Sequence, residues 1–196
     1  NLWQAVHGRN GEAPIPVIAA STPIDCFDMA FEAVQIALEH MTPVILLTDG
    51  YIANGAEPWR FPQAKDLPEI QPNFIPAREE GASSDGFLPY LRDARGVRPW
   101  ALPGQAGLQH RIGGIEKQDK TGNISYDPAN HEFMVRMRQN KVMGIRESIP
   151  TPNVLGDSTG DVLVLGWGST RGAITSAIEE LRKKGRKVSS LHLRHV

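Results

Sequence analysis

Cysteine is almost missing from this sequence: Cys26 is the only one in 196 residues. That excludes an internal disulfide framework and fits a reducing compartment. It also excludes a self-contained iron–sulfur cluster, which takes about four cysteine thiolates. Long apolar runs are missing too. The run Pro43-Val-Ile-Leu-Leu47 is far short of the roughly 20 residues that a bilayer-spanning helix needs, and no charged-then-apolar leader stands at the start. An excess of one charge is lacking as well. With 21 Lys plus Arg against 22 Asp plus Glu, the formal net charge is -1, so there is no concentrated positive field to hold nucleic acid or an anionic membrane. These absences read as a cytoplasmic protein with no nucleic acid and no membrane among its partners.

What is present is ordinary for a globular chain: 40% hydrophobic and 22% charged residues, enough for a sizeable core. The sequence opens on Asn1-Leu-Trp-Gln4 without a methionine and closes on the strand-like Lys187-Val-Ser-Ser-Leu-His-Leu-Arg-His-Val196. Both ends read as parts of a longer polypeptide.

Periodicity defines two strand–helix–strand units. The first is Pro16-Val-Ile-Ala-Ala20, then a helix to about His40 with Thr22 as N-cap, Pro23 at the first helical position and Asp25 in the first turn, then Val44-Ile-Leu-Leu47. The helix carries Phe27, Ala30, Phe31, Val34, Leu38 and Met41 at the spacing of one buried face, and Pro43 stops it. Val44-Ile-Leu-Leu47, apolar at every position, reads as a parallel strand covered on both sides. The second unit is Asp161-Val-Leu-Val-Leu165 as a buried strand, a glycine turn over residues 166–172, a helix over residues 173–184 with Ile174, Ile178 and Leu181 inward, a cap at Gly185 and a strand from Lys187. Two such units argue for two α/β domains. Between residues 50 and 126 periodicity gives way to prolines. Irregular but packed structure is expected there, anchored by Trp59, Phe61, Phe74, Tyr90 and Trp100, with disorder over residues 79–85 and a turn at Asp119-Lys-Thr-Gly122 joining two short strands. Asp127-Pro128 then opens a helix to about Ile145 carrying Met134, Met137, Val142 and Ile145.

Several clusters carry chemical meaning with an alternative beside it. Gly166-Trp-Gly-Ser-Thr-Arg-Gly172 lies between a strand and a helix, where backbone amides can cradle a phosphate, but the spacing is one residue longer than a dinucleotide fingerprint and a sharp glycine turn is the better reading. His7-Gly-Arg-Asn-Gly-Glu12 brings an imidazole, a guanidinium, an amide and a carboxylate into one loop. Arg9 either holds a substrate carboxylate as a bidentate fork or closes a surface turn with Glu12. Asp49 and Tyr51 follow the second buried strand, at the carboxyl end where open α/β sheets gather ligands; equally, Asp49 caps the loop and Tyr51 packs. His110, Glu116, His131 and Glu132 lack the close paired spacing of zinc ligands and read as hydrogen-bonding structure. Cys26, on a first helical turn without an evident base, reads as a packing thiol.

Longer strings carry a resemblance. Gly8-Arg-Asn-Gly-Glu12, Asp25-Cys-Phe-Asp-Met-Ala30, Leu38-Glu-His-Met-Thr-Pro-Val44, Asp49-Gly-Tyr-Ile-Ala-Asn-Gly55 with Glu57-Pro-Trp59, and the stretch over residues 107–130 resemble the alpha subunit of the 2-oxoglutarate type of 2-oxoacid:ferredoxin oxidoreductases, in one register over essentially the whole chain. The resemblance implies an α/β fold of the thiamine-diphosphate-binding, pyrimidine-domain type. Residues 1–60 would be the C-terminal half of that domain, residues 61–154 an irregular linker with a hairpin and a helix, and residues 155–196 the start of a transketolase C-terminal-like domain.

It further implies oxidative decarboxylation of 2-oxoglutarate to succinyl-CoA with reduction of ferredoxin, with coenzyme A as acyl acceptor. Thiamine diphosphate and Mg would sit at the interface with a partner beta subunit, and the iron–sulfur cluster on a partner subunit only. Pyruvate or a branched-chain 2-oxoacid is the alternative substrate, and a non-catalytic α/β interaction module the alternative role; a free-standing nucleotide-binding protein rests only on residues 166–172. The family's Y-P-I-T-P segment, activating glutamate, R-G-G-P-S-T-G segment and G-D-G motif are not in this sequence, which has only Thr48-Asp-Gly50 and Gly156-Asp-Ser158. No catalytic residue and no metal ligand is therefore assigned. His7, Arg9, Asn10, Asp49 and Tyr51 are the candidates for the substrate side or edge of the site. Without those motifs the 196-residue chain alone is expected to be inert and to bind thiamine diphosphate negligibly, which titration calorimetry in the presence of magnesium tests; micromolar binding would place cofactor contacts on this chain.

Overall fold

The computed structural model describes residues 1–81 and 83–196. It begins with a short helix that periodicity does not announce, α1 (Leu2–His7). Six residues are too few to hold a helix in water unaided. Arg9 supplies the support: its guanidinium donates to the carbonyls of Ala5, Val6 (2.9 Å) and Ala13 (3.0 Å), clamping the helix end to the loop that follows. A cation on the last carbonyls also meets the negative end of the helix dipole.

The first unit then forms as expected in outline. β1 (Val17–Ala19) is buried at every position and leads into α2 (Asp25–His40). The Thr22 hydroxyl accepts from the Asp25 amide at 3.2 Å, but the helix starts later than expected, with Ile24 at the N-cap and Pro23 in the turn before it; Met41 ends the helix in the left-handed region at φ 45°. β2 (Ile45–Leu47) pairs parallel with β1 in the register Val17↔Ile45, Ile18↔Leu46, Ala19↔Leu47, and is half-buried rather than covered on both sides. The short α3 (Gly50–Asn54) follows. Ile18, Ala20, Met29 and Ile52 form a core here, with Cys26, Ala33, Val44 and Leu46 packed against it.

The buried face of α2 differs from the one its apolar spacing predicts. Asp25, Met29, Ile36 and His40 are buried, while Ala30 is exposed and Val34 is 50% exposed. Apolar residues occur on more than one side of α2, so spacing alone admits two rotations. The polar ends of the buried stripe, Asp25 and His40, are invisible to a hydrophobic pattern.

The segment over residues 55–127 holds one turn of 3₁₀ helix at Ala64–Asp66 and isolated bridges, Phe74↔Trp100, Tyr90↔Lys120 and Lys117↔Ile124. Trp100 anchors it, its indole N–H donating to the Leu38 carbonyl at 2.7 Å, and Val97 and Leu108 are buried. Trp59, Phe61 and Phe74 do not anchor it, being 40%, 79% and 47% exposed. Trp59 instead lies against Phe27 and Phe61 with ring centroids 5.3 and 4.7 Å apart, covering the outer side of α2. The turn at residues 119–122 is present, with the Gly122 amide donating to the Gln118 carbonyl at 3.0 Å, but its arms make a single bridge instead of strands. The disorder expected over residues 79–85 falls in part on residue 82, which lies outside the described residues. α4 (Pro128–Ile145) starts where the Asp127-Pro128 signal puts it, the Asp127 carboxylate accepting from the Ala129 amide at 3.0 Å.

The second unit comprises β3 (Val154–Leu155), β4 (Val162–Trp167), α5 (Arg171–Lys183) and β5 (Val188–Leu193). Its sheet has the order β3-β5-β4, with β5 parallel to β4 and antiparallel to β3. The Gly185 amide closes the helix end on the Arg182 carbonyl at 2.9 Å. Ile178 is buried, but Leu181 is 40% exposed, and β4, expected as a buried strand, shows Val162, Leu163 and Leu165 at 52%, 53% and 61% exposure. The reason is position: among the described residues β4 pairs with β5 alone and forms a sheet edge.

The two units keep separate sheets, and an isolated bridge links them: the chain runs on from β5 and lays residues 194–196 antiparallel against β1 through Ile18↔His195. The Ala19 amide donates to the Arg194 carbonyl at 2.8 Å and the Val196 amide to the Val17 carbonyl at 2.9 Å. An exposed parallel edge bearing apolar side chains is a template for association. The 196-residue chain is accordingly expected to self-associate in light scattering, and the double substitution Leu163→Lys, Leu165→Lys to shift it toward monomer; a monodisperse unsubstituted chain would refute this.

Candidate functional site

The carboxyl ends of β1, β2, β4 and β5 converge, as open α/β sheets arrange their sites. Asp49, leaving β2, is the link between the units. One carboxylate oxygen accepts the Ile52 amide at 3.0 Å and caps α3; the other accepts the Ser169 amide at 3.2 Å, across the junction. The hydrogen bond from Ser169, then that from Ile52, holds the Asp49 carboxyl below the usual aspartate range. Ser169 lies in the glycine turn just before α5, where backbone amides are poorly satisfied and attract anions. The anion at that place is the protein's own Asp49. The glycines are accounted for by backbone shape: Gly168 has φ +62°, and a Cβ at Gly166 would come within 2.3 Å of the Ile174 side chain. Residues 166–172 thus form a packing turn whose donor is used internally.

Asp25 makes a second link. Its carboxylate accepts from the Ser21 amide at 2.8 Å and the Ser21 hydroxyl at 2.7 Å on one oxygen, and from Arg194 on the other. Arg171, at the start of α5, donates to the Ser21 hydroxyl at 3.3 Å, and His195 pairs with Glu32 of α2. His192 sits between them with both ring nitrogens buried and unpartnered among the described residues; burial and then the Arg171 charge lower its pKa. A cleft of about 590 Å³ opens here, lined by Asp25, Asp28, Arg171, Thr175, His192 and His195. It offers hydrogen-bond donors and acceptors but no activated nucleophile. The Cys26 thiol is pushed up by burial and then by the Asp25 and Asp49 charges.

The five candidate residues are not brought together. Asp49 stands at the junction and Tyr51 beside it on α3, 81% exposed. His7, Arg9 and Asn10 lie ahead of the amino end of β1, at the other end of the parallel strands. His7 is exposed and rests on Trp3 with centroids 4.6 Å apart, Asn10 is exposed, and Arg9 clamps α1 as described. Arg9 is not paired with Glu12, which instead accepts from Arg138 of α4 at 2.6 Å. His131 pairs with Glu116, and the His110 ring with the Leu108 carbonyl. Ser21, Arg171, His192 and Arg194 were not singled out from sequence, and Asp25 was read only as a first-turn charge on α2. The one available signal was position, since each lies at a strand end or the first turn of a helix.

The residues present do not form a diphosphate–magnesium site. The carboxylate of Thr48-Asp-Gly50 is spent on Ile52 and Ser169, and that of Gly156-Asp-Ser158 on Arg182 at 3.0 Å. Among the described residues no three His, Cys, Asp or Glu side chains group as metal ligands.

Comparison with known proteins decides the family. Residues 3–127 match the model for the thiamine-diphosphate-binding region of pyruvate flavodoxin/ferredoxin oxidoreductases. The chain belongs to this family. It is 48% identical, over its whole length, to the 2-oxoglutarate oxidoreductase subunit KorA of Mycobacterium tuberculosis, of which it spans 29%. It is 30% identical over 99% of its length to the 2-oxoacid:ferredoxin oxidoreductase alpha subunit of Saccharolobus solfataricus, spanning 30% of that protein. A solved 2-oxoglutarate:ferredoxin oxidoreductase from Magnetococcus marinus, with 2-oxoglutarate, coenzyme A and succinyl-CoA bound, superposes with a TM-score of 0.84 at 28% identity, covering 98% of this chain and 33% of that one. The mixed α/β architecture and the family's thiamine-diphosphate-binding type of domain, expected from sequence, are both found. The relatives are oxidoreductase subunits, so the chain belongs to an enzyme family, and it spans less than a third of the two curated relatives named.

Asp49→Ala removes a helix cap and the link to Ser169, and is expected to cost ~1–2 kcal/mol. Because the folded pKa is depressed, this stabilisation is complete above the unfolded value of about 3.9 and is lost as pH falls through the folded value. Denaturation against pH should therefore show the wild type and Asp49→Ala converging at acid pH and separating toward neutrality; parallel curves would assign Asp49 no role in folding as a charge.

Proposed function

We propose that this chain is part of the alpha subunit of a cytoplasmic 2-oxoglutarate:ferredoxin oxidoreductase, which decarboxylates 2-oxoglutarate oxidatively, passes the acyl group to coenzyme A and delivers electrons to ferredoxin. The observation that carries this reading is the 48% identity, over the whole chain, to a relative named for 2-oxoglutarate. The likeness to an oxidoreductase solved with 2-oxoglutarate and coenzyme A supports it. When bound, thiamine diphosphate would supply the electron sink for decarboxylation. Since the diphosphate and magnesium contacts are not on these residues, we assign them to a partner beta subunit, together with the iron–sulfur cluster.

In this reading the chain orients and closes. The Asp25 and Asp49 links hold the carboxyl ends of both sheets together, so that the thiamine-binding domain presents a fixed wall to the cofactor and substrate. The loop over residues 7–12 is the edge we place toward substrate or partner subunit. Each guanidinium nitrogen of Arg9 donates once, Nε to Ala13, Nη1 to Ala5 and Nη2 to Val6, which leaves one N–H on each Nη for a carboxylate. A second carboxylate separates 2-oxoglutarate from pyruvate, and a guanidinium suits it.

The complete enzyme should reduce ferredoxin with 2-oxoglutarate and coenzyme A far faster than with pyruvate or a branched-chain 2-oxoacid; preference for either of the latter would overturn the substrate assignment. Arg9→Lys in that enzyme should lower kcat/KM for 2-oxoglutarate on the order of tenfold, ~1.4 kcal/mol, with less effect on a monocarboxylate. Equal loss on both substrates would confine Arg9 to holding α1.

A further inference from the structure

Remote from the strand-end junction, a cavity of about 430 Å³ lies between α4 and the irregular segment. Its lining carries five cationic side chains, Arg92, Arg98, Lys117, Arg138 and Lys141, against one carboxylate, Glu116. Two of the cations are neutralised in place. Arg92 pairs with Asp119 at 2.7 Å, and Arg138 pairs with Glu12 at 2.6 Å. Glu116 is itself engaged by His131 and, at 3.6 Å, by Arg138. That leaves three positive charges with no carboxylate partner among the described residues. Arg98 lies over the Tyr90 ring at 4.2 Å and donates to the Pro89 carbonyl at 3.1 Å; Lys141 donates to the Met41 carbonyl at 2.8 Å. Lys117 has nothing: the residue is 4% exposed and its ammonium is buried without a hydrogen-bond partner.

A buried, unpaired ammonium is among the costliest arrangements a protein can hold, and on the same cavity the charges of Arg98 and Arg92 act on Lys141. The crowding is visible in Lys141, whose pKa burial and then the Arg98 and Arg92 charges push down to about 8. Glycine at 113 keeps a side chain off the ammonium, since a Cβ there would stand 3.4 Å from the Lys117 Nζ. Cations that gain no stability from one another are in place for an anion that comes from outside them.

We propose that this cavity binds a phosphoryl group, as free phosphate or as the phosphate end of an organic ester. The donors line the cavity from separate elements, Lys141 from α4, Arg98 from the irregular segment and Lys117 from just before the turn at residues 119–122. Two of them are ammonium point charges rather than planar forks. That suits a tetrahedral dianion, which accepts in several directions, better than a planar carboxylate, which a bidentate arginine would match. Met41, Ile115, Met134 and Met137 add an apolar wall on which the organic part of an ester can rest. The inference does not depend on the proposed reaction, because it rests on unpaired charge alone and is read as binding.

The test uses the natural full-length protein without magnesium, with orthophosphate, pyrophosphate, adenosine diphosphate and citrate as probes, followed by thermal shift and titration calorimetry. At least one phosphoryl probe should raise Tm and bind at least tenfold tighter than citrate. Preference for adenosine diphosphate over pyrophosphate would identify an ester as the source, and the reverse the free anion. Lys117→Met should raise Tm without ligand, since it removes an unpaired buried charge, and weaken the phosphoryl probe at least tenfold. Lys141→Gln, which keeps a donor for the Met41 carbonyl, should weaken it as well. The proposal falls if no phosphoryl probe binds, if citrate binds as tightly, or if both variants bind the probe as the unsubstituted protein does.

Discussion

The carboxylate of Asp25 is where three parts of the chain meet. It sits at the first turn of α2, accepts the amide and hydroxyl of Ser21 at the exit of β1, and receives Arg194 from the chain leaving β5. A buried carboxylate stripped of water must be repaid in hydrogen bonds, and this one is. Its satisfaction fixes the rotation of α2 on the sheet, which in turn decides that Met29 rather than Phe31 enters the core. It also fixes the path of residues 194–196 along β1. Asp49 repeats the device one strand over, with the Ser169 amide in place of Arg194. Two acidic side chains, each at the start of a helix and the end of a strand, thereby bind the thiamine-type unit to its neighbour.

How much of this was legible in the sequence follows from what kind of force sets each feature. Strong local signals held: the Asp127-Pro128 start of α4, the glycine cap after α5, the parallel pair β1 and β2, and the stop before Pro43. Each rests on backbone sterics or an end-of-helix hydrogen bond that a few neighbouring residues determine. The face of α2 was not legible, because Phe27, Phe31 and Leu38 compete with Met29 and Ile36 and only a distant arginine breaks the tie. The exposed apolar rows of β4 read as a buried strand for a related reason. An edge strand and a central one can carry the same residues, and what covers them is not written locally.

The candidate site was legible by position rather than by residue chemistry. Beyond the ends of parallel strands Asp49 was found, yet its role as a carboxylate occupying the anion position of a helix start needed Ser169, 120 residues away in sequence. Conversely, the loop over residues 7–12 drew attention for its mixture of polar types, and the structure gives its members separate employments: Arg9 to α1, Glu12 to α4. The unpaired charges about Lys117 were unreadable, since a lysine in a polar stretch gives no hint that its ammonium will be shut away from water.

The antiparallel contact of residues 194–196 with β1 bears on motion. β1 is hydrogen-bonded on both sides, to β2 and to this segment. The second unit is therefore not a body swinging on a tether, because any rotation away from the first must peel the Ala19 and Val196 amides from their partners before the linker feels strain. Relative displacement is channelled into the irregular segment, since opening the junction or sliding residues 194–196 along β1 must break those two hydrogen bonds and the Asp25–Arg194 pair.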